Sequence, residues 1–273
     1  MNPTSVSEQM MYCTTKIITS TGSGTGFFFS FNLEQQCIPV IITNKHVVNY
    51  KEKEKVKFCF HVGDQGNVTN ENITATLDID WYFHETQDIC FCFLQPIITY
   101  IKDKTGKDVY FIRADESMIY KEKQLEELSA LEDVTMIGYP IGLADEVNNF
   151  PIFRKGVTAS HPYYNFNDKK IGLVDMACFP GSSGSPIFIL NESGYRDKKG
   201  NIYMGASRVV LLGVLYAGPQ YNTQGNLIVE NIPTSQRILA NTPTMINLGY
   251  YVKAEDILTL KKIIEKLLTP PIN

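Results

Sequence analysis

Three serines set among two glycines, Gly181-Ser182-Ser183-Gly184-Ser185-Pro186, form the segment of this chain best suited to nucleophilic chemistry. Glycines flanking a serine let the backbone turn tightly and leave amide N–H groups aimed at a common spot. A serine hydroxyl is a weak nucleophile until a base takes its proton, so the turn needs a histidine and a group to orient it. The chain has four histidines, His46, His61, His84 and His161, and all of them precede Ser183.

That order excludes the α/β-hydrolase arrangement, in which the base follows the serine, and Ser185 stands where a G-x-S-x-G elbow needs its last glycine. The elements around the turn point the same way. Short β-rich runs recur between Gly, Pro and Asn, among them Gly26 to Phe31, Ile38 to Thr43, Val56 to Phe60 and Ile89 to Leu94. A second set comprises Val134 to Tyr139, Ile171 to Val174, Ile187 to Leu190, Val209 to Tyr216 and Leu248 to Val252. Many short strands without alternating long helices predict an all-β fold of sandwich or barrel type. The polar stretch Asp115 to Asp133 divides the two sets. Ile257, Leu260, Ile264, Leu267 and Leu268 repeat at helical spacing before Pro270-Pro271, which predicts one C-terminal amphipathic helix.

Composition narrows the function classes. The net charge is −4 with both signs interspersed, so no basic stripe suggests nucleic acid. The first twenty residues lack a continuous apolar run, and the longest such run, Val209 to Tyr216, is too short to span a bilayer. Neither a secretory signal nor a membrane partner is expected, and the expected location is the cytoplasm. The six cysteines form no C-x-x-C and no zinc pattern, which predicts buried free thiols and neither metal nor cofactor.

Five segments carry a resemblance. Gly22-Ser23-Gly24-Thr25-Gly26-Phe27-Phe28 followed by Thr43-Asn44-Lys45-His46-Val47-Val48 resembles the opening of a trypsin-like peptidase, in its bacterial, HtrA-like version. Asp88-Ile89-Cys90-Phe91-Cys92-Phe93-Leu94 is similar to that family's D-I-A-x-L strand, and Ile137-Gly138-Tyr139-Pro140-Ile141-Gly142 to its I-G-Y-P-x-G turn. Pro180 to Pro186 resembles its P-G-x-S-G-x-P loop, and the order His, Asp, Ser is that of chymotrypsin-type β-barrel proteases. The likeness runs from about Gly22 to about Val252, and the chain leaves no segment long enough for a PDZ-like domain.

The resemblance implies two packed antiparallel β-barrels with a C-terminal α-helix: residues 14–116 with His46 and Asp88, residues 117–253 with Ser183, and a helix over 254–268. It implies Ser183 as nucleophile, His46 as general base and then acid, and Asp88 as the group holding the imidazole, with the amides of Gly181 and Ser183 as oxyanion hole. Ser182 and Ser185 compete with Ser183, and Asp78 and Asp80 with Asp88, which directly abuts its strand. His61 and His84 read as surface or turn residues, and His161, before Pro162, as a loop residue.

The chain also departs from digestive-type relatives. Ser182 stands where those enzymes carry an aspartate that buries a new N-terminus, and Val47 and Phe179 replace cysteines. Control is therefore expected from a protein partner or from substrate rather than from zymogen cleavage. Ala177 is implied as the floor of the primary substrate pocket and Tyr216-Ala217-Gly218 as its wall, favouring an uncharged residue at the cleaved bond. The expected function is a serine endopeptidase acting on protein or peptide; the alternative is an idle trypsin-like fold used as a protein-binding module.

Overall fold

The structure is a computed structural model describing residues 2–33, 36–226 and 239–268. Its chain forms two β units. Strands β1 (Thr14–Ile18), β2 (Ser23–Leu33), β3 (Gln36–Thr43), β4 (Lys53–Asp64), β5 (Asn67–Asp80), β6 (Tyr82–Phe83) and β7 (Cys90–Phe93) lie in the order β5-β4-β1-β2-β3-β7-β6. Two short strands join this sheet, β8 (Asp108–Tyr110) on β4 and β9 (Ala114–Asp115) on β2. Only Trp81 separates β5 from β6, so the backbone itself links the two ends of the hydrogen-bonded path.

The second unit is a closed barrel. Strands β10 (Asp133–Gly138), β11 (Ile152–Thr158), β12 (Ile171–Asp175) and β13 (Pro186–Asn191) are followed by a two-stranded hairpin, β14 (Gly194–Arg196) and β15 (Ile202–Met204). Next come β16 (Arg208–Ala217), a two-stranded ribbon of β17 (Gln220–Asn226) and β18 (Leu239–Met245), and β19 (Leu248–Lys253). The barrel order is β10-β11-β12-β19-β16-β13.

Period-two side-chain alternation explains how one strand serves two cores. In β2, Phe27, Phe29 and Phe31 pack with Ile137, Phe188 and Val252 of the barrel, whereas Phe28 points the other way, among Ile41, Val56, Phe58 and Trp81. In β7, Phe91 joins the first cluster, while Cys90 and Cys92 face the second side by side. Burial pushes both thiols up, and all six cysteines are free. Cys37 is exposed, against the expectation of burial.

Helices are short. α1 (Val6–Met10) carries a capping box in which Ser5 and Glu8 satisfy each other's backbone donors. α2 (Gln95–Thr105) has Pro96 in its first turn, buries Ile97 and Ile101 one turn apart, and ends at left-handed Gly106. α3 (Glu122–Glu126) lies in the polar stretch between the units. The C-terminal element is two helices, α4 (Glu255–Thr259) and α5 (Lys261–Leu268), rather than one. At their junction the Leu260 amide bonds Ile257 three residues back, a tightened turn that buries Ile257, Leu260 and Ile264 together. Among the described residues no helix is long and apolar enough to cross a membrane.

The structure corrects one histidine assignment. His61 is a buried residue inside β4, neither on the surface nor in a turn, whereas His84 is buried but does hold a turn. His61 lies among the rings of Tyr12 and Phe150, at 4.6 and 5.5 Å between centroids. His84 accepts the amides of Thr86 and Gln87 at 3.1 and 3.0 Å, fixing the loop before Asp88. Burial holds the His61 pKa down at about 4, from 6.5. Between those values the unfolded chain binds a proton that the native site refuses, so stability falls as pH drops from about 6.5 to about 4. The loss assigned to His61 is about 3 kcal/mol. Thermal melts of wild type and His61→Phe across that window should show a shallower decline in the variant; parallel curves would reject the assignment.

Candidate active site

The site forms where the two units face each other. β3 ends at Thr43, and a short helical turn, Lys45–Val48, presents His46 with Val47 and Val48 buried beneath it. His46 Nδ1 lies 2.6 Å from Asp88 Oδ2, and the His46 amide donates to Asp88 Oδ1 at 3.3 Å. The Asn44 side-chain amide donates to the Asp88 carbonyl at 2.6 Å, tying the two segments together. Two-point contact between carboxylate and histidine fixes the ring's orientation and leaves Nε2 as the nitrogen available to a reacting hydroxyl. Asp78 and Asp80 lie in β5, paired across the sheet with Lys55 and Lys53, so the geometry selects Asp88.

Burial separates the serines. Ser182 and Ser185 are wholly buried, whereas Ser183 remains partly exposed. Gly181 and Gly184 both adopt φ near +85°, at +87° and +85°, a region costly for any side-chain-bearing residue. Space forbids one as well, since a Cβ on Gly184 would sit 1.9 Å from the Thr25 carbonyl oxygen. The Ile141 amide donates to the Pro180 carbonyl at 2.5 Å. A trans peptide then sends the Gly181 N–H to the opposite side. Neither that N–H nor the Ser183 N–H has a backbone acceptor among the described residues. Ile141 itself holds φ +49°, an uncommon state for a β-branched residue, beside the turn it supports.

Thr25 joins the units at this point. Its buried hydroxyl donates to the Gly181 carbonyl at 3.2 Å and accepts from the Tyr139 amide and the Ser185 hydroxyl, each at 3.1 Å. Its amide donates to the Ser183 carbonyl at 2.8 Å, and its carbonyl accepts from the Thr43 hydroxyl at 2.7 Å. Thr25 belongs to the Gly-Ser-Gly-Thr-Gly-Phe segment but was not foreseen as a site residue; its one signal was a hydroxyl-bearing residue between the two glycines Gly24 and Gly26 of that segment. Thr25→Val keeps the shape and leaves three polar partners unsatisfied, which should cost about 3 kcal/mol by denaturant unfolding. A loss below about 1 kcal/mol would remove Thr25 from this role.

The expected pocket residues flank the turn. Tyr216 and Ala217 end β16, Gly218 follows, and the Leu215 carbonyl accepts the Gly184 amide at 2.9 Å. Ala177 is partly exposed beside Cys178, which lies with Leu215 against Gly249 of β19. Burial, then Tyr250 and the Asp88 charge, raise the Tyr216 phenol pKa. Ser182 keeps a buried hydroxyl with no partner among the described residues. His161 accepts the Tyr163 amide at 3.1 Å and packs on Tyr164, giving it a local loop role.

The trypsin-like peptidase domain family matches residues 24–194, a span that contains His46, Asp88 and Ser183. The chain belongs to the trypsin-like peptidase family. It is accordingly a serine protease of chymotrypsin fold. No curated protein matches the peptidase significantly. Among solved structures it is similar to the inactive form of the Rv3671c protease from M. tuberculosis, at 15% identity and TM-score 0.42, covering 93% of this chain and 89% of that one. It is also similar to a human pathogenic astrovirus serine protease, at 15% identity and TM-score 0.41 with 89% of each chain covered. A scabies mite inactivated protease paralogue shows 11% identity and TM-score 0.43, with 94% of this peptidase and 96% of that chain covered.

Proposed function

We propose that the peptidase is an active serine endopeptidase that hydrolyses peptide bonds through Ser183, His46 and Asp88. The observation that carries this reading is the 2.6 Å pairing of His46 with Asp88, together with a serine turn in which Ser183 is the one serine that is not buried and whose backbone meets Val47, the residue after His46, around Gly24. Ser183 Oγ attacks the substrate carbonyl as His46 Nε2 takes its proton. Asp88 holds the imidazole and offsets its positive charge. The carbonyl oxygen, now an oxyanion, is stabilised by the N–H groups of Gly181 and Ser183, each worth about 10²–10³ in rate. Collapse of the tetrahedral intermediate expels the amine, which takes the proton back from His46, and leaves an acyl-enzyme. Water then repeats the sequence and frees Ser183.

The reaction is carried by the two β units, residues 14–116 and 117–253. Ala177 and the wall Tyr216-Ala217-Gly218 supply no charge, so cleavage should follow an uncharged, small to medium apolar residue. A peptide-library profile dominated by cleavage after basic or acidic residues would overturn that assignment.

Free thiols fit a cytoplasmic enzyme. The buried, uncharged Ser182 offers no anion to a new N-terminus, so control falls to a regulatory protein partner or to substrate. The deciding experiment is labelling with a fluorophosphonate probe and mapping the adduct by mass spectrometry. An adduct on Ser183 that vanishes in His46→Ala supports the mechanism. Absence of any adduct in folded wild-type protein would favour the idle, binding-module alternative.

A further inference from the structure

Away from the serine turn, a cavity of about 220 Å³ opens where the N-terminal segment, the β4–β5 hairpin and the loop before β11 meet. Glu8, Tyr12, His61, Asn72, Asn148 and Phe150 are among the residues that line it, and no lysine or arginine does. His61 is 6% exposed, and its Nε2 has no hydrogen-bond partner among the described residues. Nε2 is thus an unpartnered polar atom of the cavity wall. A buried polar atom in that state is destabilising unless a partner reaches it.

The remaining chemistry of the wall specifies the partner. Glu8 Oε2 accepts from the Thr4 amide and hydroxyl and the Ser5 amide, at 2.7, 2.9 and 3.1 Å, and these bonds lower its pKa and keep it ionised. Burial keeps His61 neutral at ordinary pH, so it does not repel a cation. The rings of Tyr12 and Phe150 present π-systems, and the side chains of Asn72 and Asn148 add amide oxygens. One anion, one unpartnered nitrogen on a neutral imidazole, aromatic walls and no lysine or arginine suit a positive group rich in N–H donors.

We infer that this cavity is a binding site for a small organic cation, an alkyl ammonium or guanidinium group, held by His61 Nε2, the Glu8 carboxylate and the Tyr12 and Phe150 rings. The group can belong to a free amine or to the lysine or arginine side chain of a peptide. Because the lining comes from three segments of the chain, occupation ties them together and raises the melting temperature.

The test uses the full chain with butylamine, butylguanidine and Nα-acetyl-lysine amide, with butanol and butyrate as controls at matched ionic strength. Melting temperature and the His61 ring signals in NMR are read together. Expected is a rise in melting temperature and a shift of the His61 signals with the three cations alone. Tighter binding of butylamine than of the lysine amide assigns a free amine as the source, and the reverse assigns a peptide side chain. His61→Phe, which keeps a ring but loses Nε2, and Glu8→Gln should each weaken binding by about tenfold or more. If His61→Phe fails to fold, Glu8→Gln decides alone. Equal binding of butanol or butyrate, no binding of any cation at millimolar concentration, or unchanged cation affinity in Glu8→Gln would overturn the assignment.

Discussion

Ser183→Ala is expected to lower kcat/KM on a peptide substrate by about 10⁶-fold while leaving the melting temperature within about a degree of wild type. The asymmetry follows from position. Ser183 is partly exposed and its carbonyl, not its hydroxyl, anchors the turn through the Thr25 amide. The neighbouring serines should give different signatures. Ser182→Ala removes a buried hydroxyl that has no partner, so folding should be unaffected or slightly favoured and the chemistry retained. Ser185→Ala breaks the bond to the Thr25 hydroxyl and should destabilise by about 1 kcal/mol. His46→Ala should match the loss in Ser183→Ala, and the double variant should lose little more, because nucleophile and base act as a unit. Steady-state kinetics and thermal melts on the four single variants and the double variant distinguish these outcomes. Retained turnover in Ser183→Ala would sink the mechanism.

Gly184→Ala is expected to be the most damaging single methyl in the site. Its Cβ would fall 1.9 Å from the Thr25 carbonyl oxygen and 2.5 Å from the Thr43 hydroxyl, at φ +85°. Both neighbours belong to strands of the other unit, so relief requires the serine turn and β2 to part. That movement breaks the Thr25 amide bond to the Ser183 carbonyl as well. The predicted loss is on the order of 4 kcal/mol or more, with activity falling in parallel. Gly200→Ala is the matched control, since Gly200 has φ +87° and open space around it. It carries the backbone penalty alone, roughly 1–2 kcal/mol. Denaturant unfolding of the pair separates strain from collision, and equal losses would show that the collision is relieved locally.

Much of the fold was legible because its signals are local. Two glycines around Ser183 announced positive φ, and alternation in β2 and β7 announced strands with two buried faces. The helix α2 went unforeseen although Pro96, Ile97, Ile101 and Gly106 marked its start, buried face and end. Its apolar residues directly continue the β7 run, and short apolar runs do not reveal their own period. The split at Leu260 was illegible for a related reason: hydrophobic spacing cannot tell an α-helix from two helices joined by a tightened turn.

By itself, the sequence determined the order histidine, aspartate, serine, the glycine-bracketed turn, the alternating strands and an uncharged residue at position 177. These are properties that single residues or neighbours carry in their φ preferences, side-chain chemistry and period. Only the tertiary structure decided that Asp88 rather than Asp78 or Asp80 meets His46, and that Ser183 alone among the three serines of its turn stays partly exposed. It also decided that Thr25 bridges the units and that His61 and His84 are buried. The physical reason is distance along the chain: each of these outcomes depends on which atoms of remote segments share one small volume, and hydrogen-bond partners and lost solvent are set only once the two β units have packed.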